Sequence, residues 1–233
     1  MQSMHTLATL PRTLSPGHAH LYIVVIADWL PVALDVLQAT ISAEEQTRMR
    51  RFRQHADQER FLVAHGTLRL LLGRHLDREP VRLAFRTGAR GKPWIATDTI
   101  GDAITEPPLH FNLAHAGGVV VIGIAERPLG VDVEMVPATT TAPDPGPAFD
   151  LTQQWVRHEA LQKATGLGLG AEILEPQTLD ATEASPPLRV VDISLASNLD
   201  PARPEQTYAA SVAMDASLTT VCTFRLVALS HHP

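Results

Sequence analysis

The sequence is short of cysteine, of positive charge and of long apolar runs, and each shortage excludes a class of protein. Only one of its 233 residues is a cysteine, Cys222, so no internal disulfide can form and a reducing compartment is expected. The apolar stretch at residues 21–30 is interrupted by Asp28 and falls well short of the roughly 20 residues that a membrane-spanning helix needs. The first residues also lack the pattern of a signal peptide. We therefore expect a soluble, cytoplasmic protein.

The charge balance excludes two broad classes of binding protein. Nineteen Lys and Arg residues face 25 Asp and Glu residues, which gives a net charge of −6 and a pI near 6.0. This argues against a general binder of nucleic acids or of anionic membranes. Any anion-binding site must therefore arise from local clustering of basic side chains. The length fits one large domain or two small ones, with ample apolar material for a core.

Hydrophobic periodicity and turn residues predict the order of the secondary structure. Helices are predicted at residues 42–52, 57–75 and 149–165, the first of them opening on the capping-box pattern Ser-Ala-Glu-Glu. Strands are predicted at residues 21–26, 109–115, 119–125, 130–134, 188–195, 207–214 and 219–229. Of the other segments, residues 1–17 are predicted to be a loose leader, 86–101 a loop and 137–147 a proline-rich connector.

This order of elements predicts an α+β fold with two similar lobes, each a helix packed on mostly antiparallel strands. The N-terminal lobe, residues 1–108, carries most of the arginines, and the C-terminal lobe, residues 109–233, carries the candidate carboxylates. No sequence repeat occurs at a fixed period, so the similarity of the lobes is an inference from the element order.

The segment from Leu129 to Lys163 contains three carboxylates and an amine at suggestive spacings. Asp132 and Glu134 point to the same face of an extended strand because the side-chain period there is two. Glu159 and Lys163 are four residues apart on a helix and therefore adjacent. Together they could hold Mg²⁺, which prefers oxygen ligands, beside a phosphorylated substrate. A solvated strand face with a surface charge on the helix is the alternative.

Basic residues cluster in the first half of the chain. The region before and within the second predicted helix contains Arg48, Arg50, Arg51, Arg53 and Arg60. The planar guanidinium group suits phosphate recognition, although an exposed, solvated helix face is the usual explanation for such a run. Several of these residues could also contact an acidic partner.

Three further features are compatible with more than one role. Gly91, Lys92 and Pro93 place a glycine and a cation together, as a ligand-binding loop or an ordinary turn does. His115 ends a strand beside two glycines, where it could bind phosphate or be structural. Cys222, within a predicted strand, is interpreted as a small buried apolar residue and not as a nucleophile. Neither a nucleotide-binding P-loop nor a Gly-x-Ser-x-Gly elbow is present, and the histidines show no metal-binding spacing such as His-Glu-x-x-His.

The order of these motifs carries a family resemblance. Arg-Arg-Phe, Gly-Lys-Pro, Phe-Asn-Leu-x-His, Gly-Val-Asp-Val-Glu and Trp-x-x-x-Glu-Ala-x-x-Lys-x-x-Gly-x-Gly follow one another along the chain. The series resembles the 4′-phosphopantetheinyl transferases of the surfactin-synthetase-activating type. The resemblance covers roughly residues 42–169, with a weaker echo at residues 208–213.

The resemblance implies the family fold, two similar α+β lobes with the site between them, and a specific reaction. Family members transfer the phosphopantetheine arm of coenzyme A, the co-substrate, to a serine of an acyl or peptidyl carrier protein and release adenosine 3′,5′-bisphosphate. They use Mg²⁺, with Mn²⁺ as an alternative. The expected partners are thus coenzyme A and a carrier protein, with no nucleic acid or membrane, and such a fold permits a monomer.

The resemblance also implies a role for each candidate residue. Asp132, Glu134 and Glu159 match the family's metal ligands, Glu159 also being the candidate base for the carrier serine, and Lys163 matches the lysine on the diphosphate. The remaining matches concern coenzyme A. Arg48 and Arg60 match basic positions near its 3′-phosphate. The loop of Gly91, Lys92 and Pro93 matches the one along its nucleotide, and His115 matches the histidine on its diphosphate.

The chain departs from the family pattern at several positions. Ala114 and Ala116 stand where the family has serines, and His158 stands where it has lysine. Glu45 replaces a basic residue, and the bridge from Glu134 to Trp155 is shorter than usual. These departures motivate an alternative function, that of a degenerate homologue that binds coenzyme A or a carrier protein without catalysis.

Overall fold

The computed structural model describes residues 4–30, 33–88, 91–96, 109–137, 146–166, 187–196 and 198–228. Within these residues the α-helices are α1 (Leu34–Thr40), α2 (Ala43–Arg50), α3 (His55–Leu76) and α4 (Gly146–Thr165). The strands are β1 (Met4–His5), β2 (His18–Val25), β3 (Phe85–Thr87), β4 (Pro93–Ile95), β5 (His110–Ala116), β6 (Val119–Ala125), β7 (Leu129–Met135), β8 (Leu188–Asp192), β9 (Tyr208–Asp215) and β10 (Thr220–Leu226). This mixture confirms the predicted α+β class.

The described strands form three sheets. The largest has the order β1-β10-β2-β6-β5, in which β1, β10 and β2 run parallel and the other neighbours antiparallel. The second, β7-β9-β8, and the hairpin β3-β4 are antiparallel. The five-stranded sheet combines strands from both sides of the predicted boundary at residues 108 and 109. That boundary, and the similarity of the lobes, stay predictions.

The elements stack in four layers: α1 and α3, the five-stranded sheet, the three-stranded sheet, and α4. One face of the five-stranded sheet packs Tyr22 and Ile122 against Leu68 of α3. Its other face packs residues such as Ile23 against Val131 of the three-stranded sheet. Strands β2 and β6 are apolar on both faces because both of their faces are covered.

Helix α4 lies unusually close to strand β7. A Cβ atom added at Gly130 would meet the Ala160 carbonyl oxygen and the Ala164 nitrogen, both at 2.3 Å. The neighbouring strand β9 presents the small residues Ala209 and Ala213 to the same helix. Small side chains therefore set the distance between the sheet and α4.

Several segments differ from the sequence prediction. The leader is not loose over its described part, because β1 pairs with β10 and Arg74 donates to the Leu10 carbonyl. Over its described residues, the predicted loop at 86–101 contains β4 and most of β3, and Gly91, before β4, has a φ of +89°. Helix α1 was not predicted, since Ala33 at its N-cap offers no side-chain hydrogen bond. Strand β1 and helix α1 depend on partners distant in sequence, whereas β3 and β4 pair with each other as a short hairpin.

Helix α4 begins three residues earlier than predicted, at Gly146, because Pro147 is compatible with a first helical turn. It ends near Gly166, which has a φ of +69°. The rest of the predicted connector, residues 138–145, lies outside the described residues, as do Arg90 and Gly168. None of the described helices is long and apolar enough to cross a membrane.

Candidate active site

Strand β7 presents two of the predicted acidic residues to helix α4. Gly130, Asp132 and Glu134 alternate along the strand and share one face, while Val131 and Val133 point into the core between the sheets. On α4, Lys163 Nζ donates to Asp132 Oδ1 at 2.5 Å. The strand and the helix therefore bring Asp132, Glu134, Glu159 and Lys163 to one side of the molecule.

Asp132 is buried, and only one of its carboxylate oxygens is paired. The residue is 4% exposed, and Oδ2 has no hydrogen-bond partner. Burial raises the pKa of this carboxyl group, while the Lys163 ammonium lowers it in part. A buried carboxylate oxygen without a partner is costly, and a bound cation would relieve that cost.

The other two carboxylates add to the negative charge around Asp132. Burial raises the pKa of Glu134, and the charges of Asp132 and Glu159 raise it further. Glu159 is itself buried at 8% exposure and has no ion-pair partner among the described residues. Oxygen-rich sites with excess negative charge are those that Mg²⁺ prefers, so these residues fit the metal that the resemblance implies.

The three carboxylates are not drawn together into one ligand shell. A close ligand group is three His, Cys, Asp or Glu side chains whose donor atoms all lie within 4.8 Å of one another. Among the described residues, His18, His20 and Cys222 meet this criterion, and the three carboxylates do not. Lys163 supplies the positive charge beside Asp132. The metal-ligand roles of Asp132, Glu134 and Glu159 stay predictions.

Basic groups from α3 and α4 surround His115, at the end of β5. His115 is exposed at the edge of the sheet, but nearby protein atoms that displace part of its hydration lower its pKa, and the charges of Arg60 and Lys163 lower it further. Arg60 is held in place, because Nη1 donates to Asp57 at 2.7 Å and Nε donates to the Gly117 carbonyl at 3.2 Å. Arg60 and Lys163 are therefore two permanently charged basic groups close to His115, in a chain of net negative charge.

Arg48 extends this basic region along the outside of α3. Its guanidinium carbon lies 5.5 Å from the centre of the Phe61 ring, and the His65 ring stacks on the same Phe61 at 4.0 Å between centres. Arg48 is exposed on helix α2. It is therefore open to an anionic ligand, although no contact in the structure assigns it one.

Glu45, at a position that is basic in the family pattern, has a structural role. Its carboxylate completes the predicted capping box with Ser42 and accepts from Arg69 Nε at 2.6 Å. Burial raises the pKa of Glu45, but hydrogen bonds from His65 and the Ser42 amide, together with Arg69, lower it to about 2. The buried Arg69 also donates to the Leu83 carbonyl, so Glu45 links helices α2 and α3 to the chain before β3.

Lys92 is bound to protein backbone. Nζ donates to the Leu129 carbonyl at 3.1 Å and to the Ala164 carbonyl at 2.9 Å. The second contact is at the C-terminal end of α4, where a cation is favoured by the helix dipole. Burial lowers the pKa of Lys92 to about 8. Lys92 thus attaches the hairpin β3-β4 to β7 and α4, and the contact of Gly91, Lys92 and Pro93 with a nucleotide stays a prediction.

A hydrogen bond of the Asn112 side chain connects the strand that carries His115 with the strand that carries Asp132. Asn112 Oδ1 accepts a hydrogen bond from the Val131 amide at 2.8 Å, which links β5, with His115, to β7, with Asp132. Ala114 and Ala116 point to the opposite face from His115 and are buried in the core between the sheets. The two missing hydroxyl groups would therefore lie on the core side of β5.

Sequence reasoning missed two residues that help to form this site. His65 lies close enough to His115 to affect its electrostatics, and its position four residues after Phe61 predicts that His65 and Phe61 share a helix face. Gly130 allows α4 to approach; a glycine two residues before Asp132 in a strand was the available signal. His158, where the family has lysine, has its Nε2 3.0 Å from the Gln162 side chain.

Comparison with known proteins shows similarity to 4′-phosphopantetheinyl transferases. The family profile described as 4′-phosphopantetheinyl transferase, N-terminal, matches residues 27–127. The 4′-phosphopantetheinyl transferase HetI of Nostoc sp. is 29% identical over 177 residues, 67% of this chain and 72% of HetI. A 4′-phosphopantetheinyl transferase of Bacillus subtilis is 30% identical over 106 residues, 45% of this chain and 44% of that protein. The match thus spans less than half of the Bacillus relative.

The profile match includes Arg48, Arg60, Lys92 and His115, and it ends shortly before Asp132. A third relative, a phosphopantetheinyl transferase of Thraustochytrium sp., is 29% identical over 121 residues, 51% of this chain and 40% of that protein. Similarity to these transferases agrees with the series of motifs and with the acidic and basic groups at β7, α4 and α3. Over the matched residues and in its series of motifs, the chain is therefore similar to 4′-phosphopantetheinyl transferases.

Proposed function

We propose that this protein transfers the 4′-phosphopantetheine arm of coenzyme A to a serine of an apo acyl or peptidyl carrier protein. The observation that carries the proposal is the unpaired, buried Oδ2 of Asp132 beside Lys163, with Glu134 and Glu159 on the same side. A site with surplus negative charge next to basic groups suits a metal–diphosphate complex, which carries both signs of charge.

Asp132, Glu134 and Glu159 would hold Mg²⁺, or Mn²⁺ in its place. The bound ion would neutralise charge on the diphosphate and on the leaving group. Burial raises the pKa values of Asp132 and Glu134, and the charges of Asp132 and Glu159 raise that of Glu134 further, so positive charge at this place would stabilise the ionised carboxylates. The chain's own contribution is to hold these carboxylates on a strand and a helix whose separation Gly130 fixes.

Lys163 and His115 would position the diphosphate, while Arg60, with Arg48, would lie near the 3′-phosphate of coenzyme A. Lys163 is half-buried and can exchange its contact with Asp132 for a phosphate oxygen. His115, whose pKa is lowered in the free protein, would gain a proton more readily next to the negative charge of a phosphate. Such fixed cations orient the diphosphate for in-line attack.

Glu159 would accept the proton of the carrier serine. The serine oxygen would form a bond to the phosphorus atom nearer to pantetheine. The bond from that phosphorus to the bridging oxygen would break, and adenosine 3′,5′-bisphosphate would leave with the electron pair. A carboxylate that accepts the proton makes the hydroxyl a better nucleophile.

The outer face of α4 offers a surface for the carrier protein. Trp155, 55% exposed, is one helical turn before Glu159, and Leu151, 67% exposed, is one turn before Trp155. Adjacent exposed apolar side chains mark interaction surfaces. A carrier bound there would have its serine near Glu159.

The test is a transfer assay on apo carrier proteins with coenzyme A and Mg²⁺, read by intact-protein mass spectrometry. We expect the carrier to gain one phosphopantetheinyl group, and Glu159→Gln to lower the rate about 100-fold or more. The matched control Glu126→Gln, at an exposed glutamate after β6, should retain the full rate. Carriers of fatty-acid, polyketide and nonribosomal-peptide type should be compared.

No mass gain on any carrier would contradict the proposal. If calorimetry then detected binding of coenzyme A or of the carrier, the alternative of a homologue that binds without catalysis would replace it. Full activity of Glu159→Gln would overturn the role given to that carboxylate while leaving the transfer itself in place.

A further inference from the structure

A second group of potential ligands lies on the five-stranded sheet, apart from the acidic site. His18 and His20 are two residues apart on β2 and therefore point to the same face of the sheet. Cys222 lies beside His20 on the parallel strand β10. The donor atoms of these three side chains all lie within 4.8 Å of one another. The sequence interpretation of Cys222 as a buried apolar residue is therefore wrong: it is half-buried, and two histidines face it.

The spacing of the donor atoms agrees with tetrahedral coordination. His18 Nδ1 lies 3.5 Å from Cys222 Sγ. With metal–nitrogen and metal–sulfur bonds of zinc length, a tetrahedral angle separates the two ligand atoms by about 3.6 Å. Imidazole and thiolate are the ligands that a borderline transition ion such as Zn²⁺ prefers, whereas Mg²⁺ prefers oxygen.

A chain of hydrogen bonds fixes the tautomer of His20. The Arg12 carbonyl can only accept, so His75 Nδ1 donates to it at 3.0 Å. Because burial lowers the pKa of His75, the ring is neutral, and its Nε2 accepts from the Tyr22 hydroxyl at 2.8 Å. Tyr22 in turn accepts from His20 Nδ1 at 3.1 Å.

This chain leaves His20 Nε2 with an unshared electron pair. His20 is 3% exposed, so the surrounding protein holds its ring in this orientation. Metal-binding histidines are characteristically oriented by such a hydrogen bond from their other ring nitrogen. His20 thus has the state and the support of a metal ligand before any metal binds.

We propose that His18, His20 and Cys222 form a binding site for a borderline divalent transition ion of the Zn²⁺ type, with a fourth coordination position open. His18 and Cys222 are half-buried, which gives an ion access. The site is separate from the acidic site at β7 and α4, and it does not depend on the proposed transfer reaction.

A spectroscopic titration of the metal-free protein with Co²⁺ tests the proposal. Excess Mg²⁺ is present so that sites made of oxygen ligands are already occupied. We expect a thiolate-to-cobalt charge-transfer band that saturates at one equivalent of Co²⁺ and disappears when Zn²⁺ is added. Cys222→Ser and, separately, His18→Gln should weaken Co²⁺ binding at least about 10-fold, the serine variant without any charge-transfer band. Circular dichroism verifies that each variant is folded.

Further variants separate binding at this cluster from binding at the acidic site or at a surface histidine. Tyr22→Phe removes the hydrogen bond to His20 and should weaken Co²⁺ binding about 10-fold with the charge-transfer band retained. Glu159→Gln and the exposed His55→Gln should leave the titration unchanged. Absence of a band in the wild type, which would make the cluster an ordinary thiol–imidazole contact, overturns the proposal. So does an unchanged band in Cys222→Ser or a titration abolished by Glu159→Gln.

Discussion

A buried carboxylate with one unpaired oxygen works against folding, and Asp132 is such a group. Its raised pKa shows that the folded chain disfavours its charge even beside Lys163. Residues that keep an unfavourable charge in a cleft are candidates for function. At the scale of single residues, the strongest argument for the acidic site is thus the cost of Asp132 in the absence of a ligand.

Glu45 shows the opposite arrangement, a carboxylate whose partners stabilise its charge. Its pKa is about 2 in the folded chain against an ordinary value of 4.5, so the unfolded chain binds more protons between these values. The resulting stabilisation, about 3 kcal/mol, is complete above about pH 4.5 and is lost as the pH falls toward 2.

We predict that Glu45→Gln lowers the free energy of unfolding by about 3 kcal/mol at pH 7. Glutamine can keep the capping contact with Ser42, but it leaves the buried charge of Arg69 without its partner. Urea denaturation at several pH values measures the difference, which should shrink as the pH falls below 4.5. The control Glu44→Gln, at an exposed position of the same helical turn, should change stability by about 0.5 kcal/mol or less. If the difference in unfolding free energy between wild type and Glu45→Gln did not change with pH, the stabilising ion pair assigned to Glu45 would be contradicted.

The sequence predicted single residues well where their partners are close along the chain. The contact between Ser42 and Glu45 follows from a three-residue spacing, and the shared face of Asp132 and Glu134 follows from the period of a strand. The pairing of Glu45 with Arg69, and the grouping of His18 with Cys222, join residues that are 24 and 204 positions apart. No local pattern encodes such contacts.

Among the elements, β7 and α4 determine the geometry of the acidic site. The strand supplies Asp132 and Glu134, the helix supplies Glu159 and Lys163, and Gly130 sets the distance between the two. We predict that Gly130→Ala forces α4 away from β7, because the new Cβ would meet backbone atoms at 2.3 Å and backbone atoms cannot rotate aside.

The expected loss of stability for Gly130→Ala is about 1–3 kcal/mol, with a fall in transfer activity larger than partial unfolding explains. Chemical denaturation and the transfer assay measure the two effects. Gly88→Ala is the matched control, because its Cβ would make only an ordinary contact at 3.6 Å with the Lys92 carbonyl oxygen. Wild-type stability and activity in Gly130→Ala would show that the close approach is unimportant.

Long, periodic elements were predicted from the sequence and short ones were not. Helix α3 and strand β6 match the predictions closely, because apolar spacing extends along their whole length. Helix α1 has seven residues and no side-chain cap, and β1 has two residues whose partner strand is at the other end of the chain. Tertiary pairing forms these elements, so local propensity does not reveal them.

At the scale of the whole molecule, the candidate site lies where the edge strands of two sheets meet. Strand β5 ends the five-stranded sheet and strand β7 ends the three-stranded sheet. Asn112 connects the two through the Val131 amide, and Lys92 connects the hairpin β3-β4 to β7 and α4. Basic groups from one side and carboxylates from the other are thereby held together.

We predict that Asn112→Ala destabilises the fold by about 1–3 kcal/mol, because the buried Val131 amide loses its acceptor. In Asn112→Ala, hydrogen exchange at the Val131 amide should be faster than in the wild type. Exchange at the Val121 amide, within the five-stranded sheet, should change less. Gln154→Ala, at an exposed amide side chain on α4, serves as the control and should leave both stability and exchange unchanged. Equal protection of Val131 in wild type and Asn112→Ala would contradict the linking role of Asn112.

The central claim is that Asp132, Glu134 and Glu159 bind the metal of a coenzyme A complex next to Lys163. A crystal structure with coenzyme A and Mn²⁺, with the ion located by anomalous scattering, tests it most directly. We predict an anomalous peak within about 2.5 Å of Asp132 Oδ2, with Lys163 moved from Asp132 to a diphosphate oxygen. A coenzyme A complex in which the Asp132–Lys163 ion pair is intact and the manganese lies elsewhere would contradict the account.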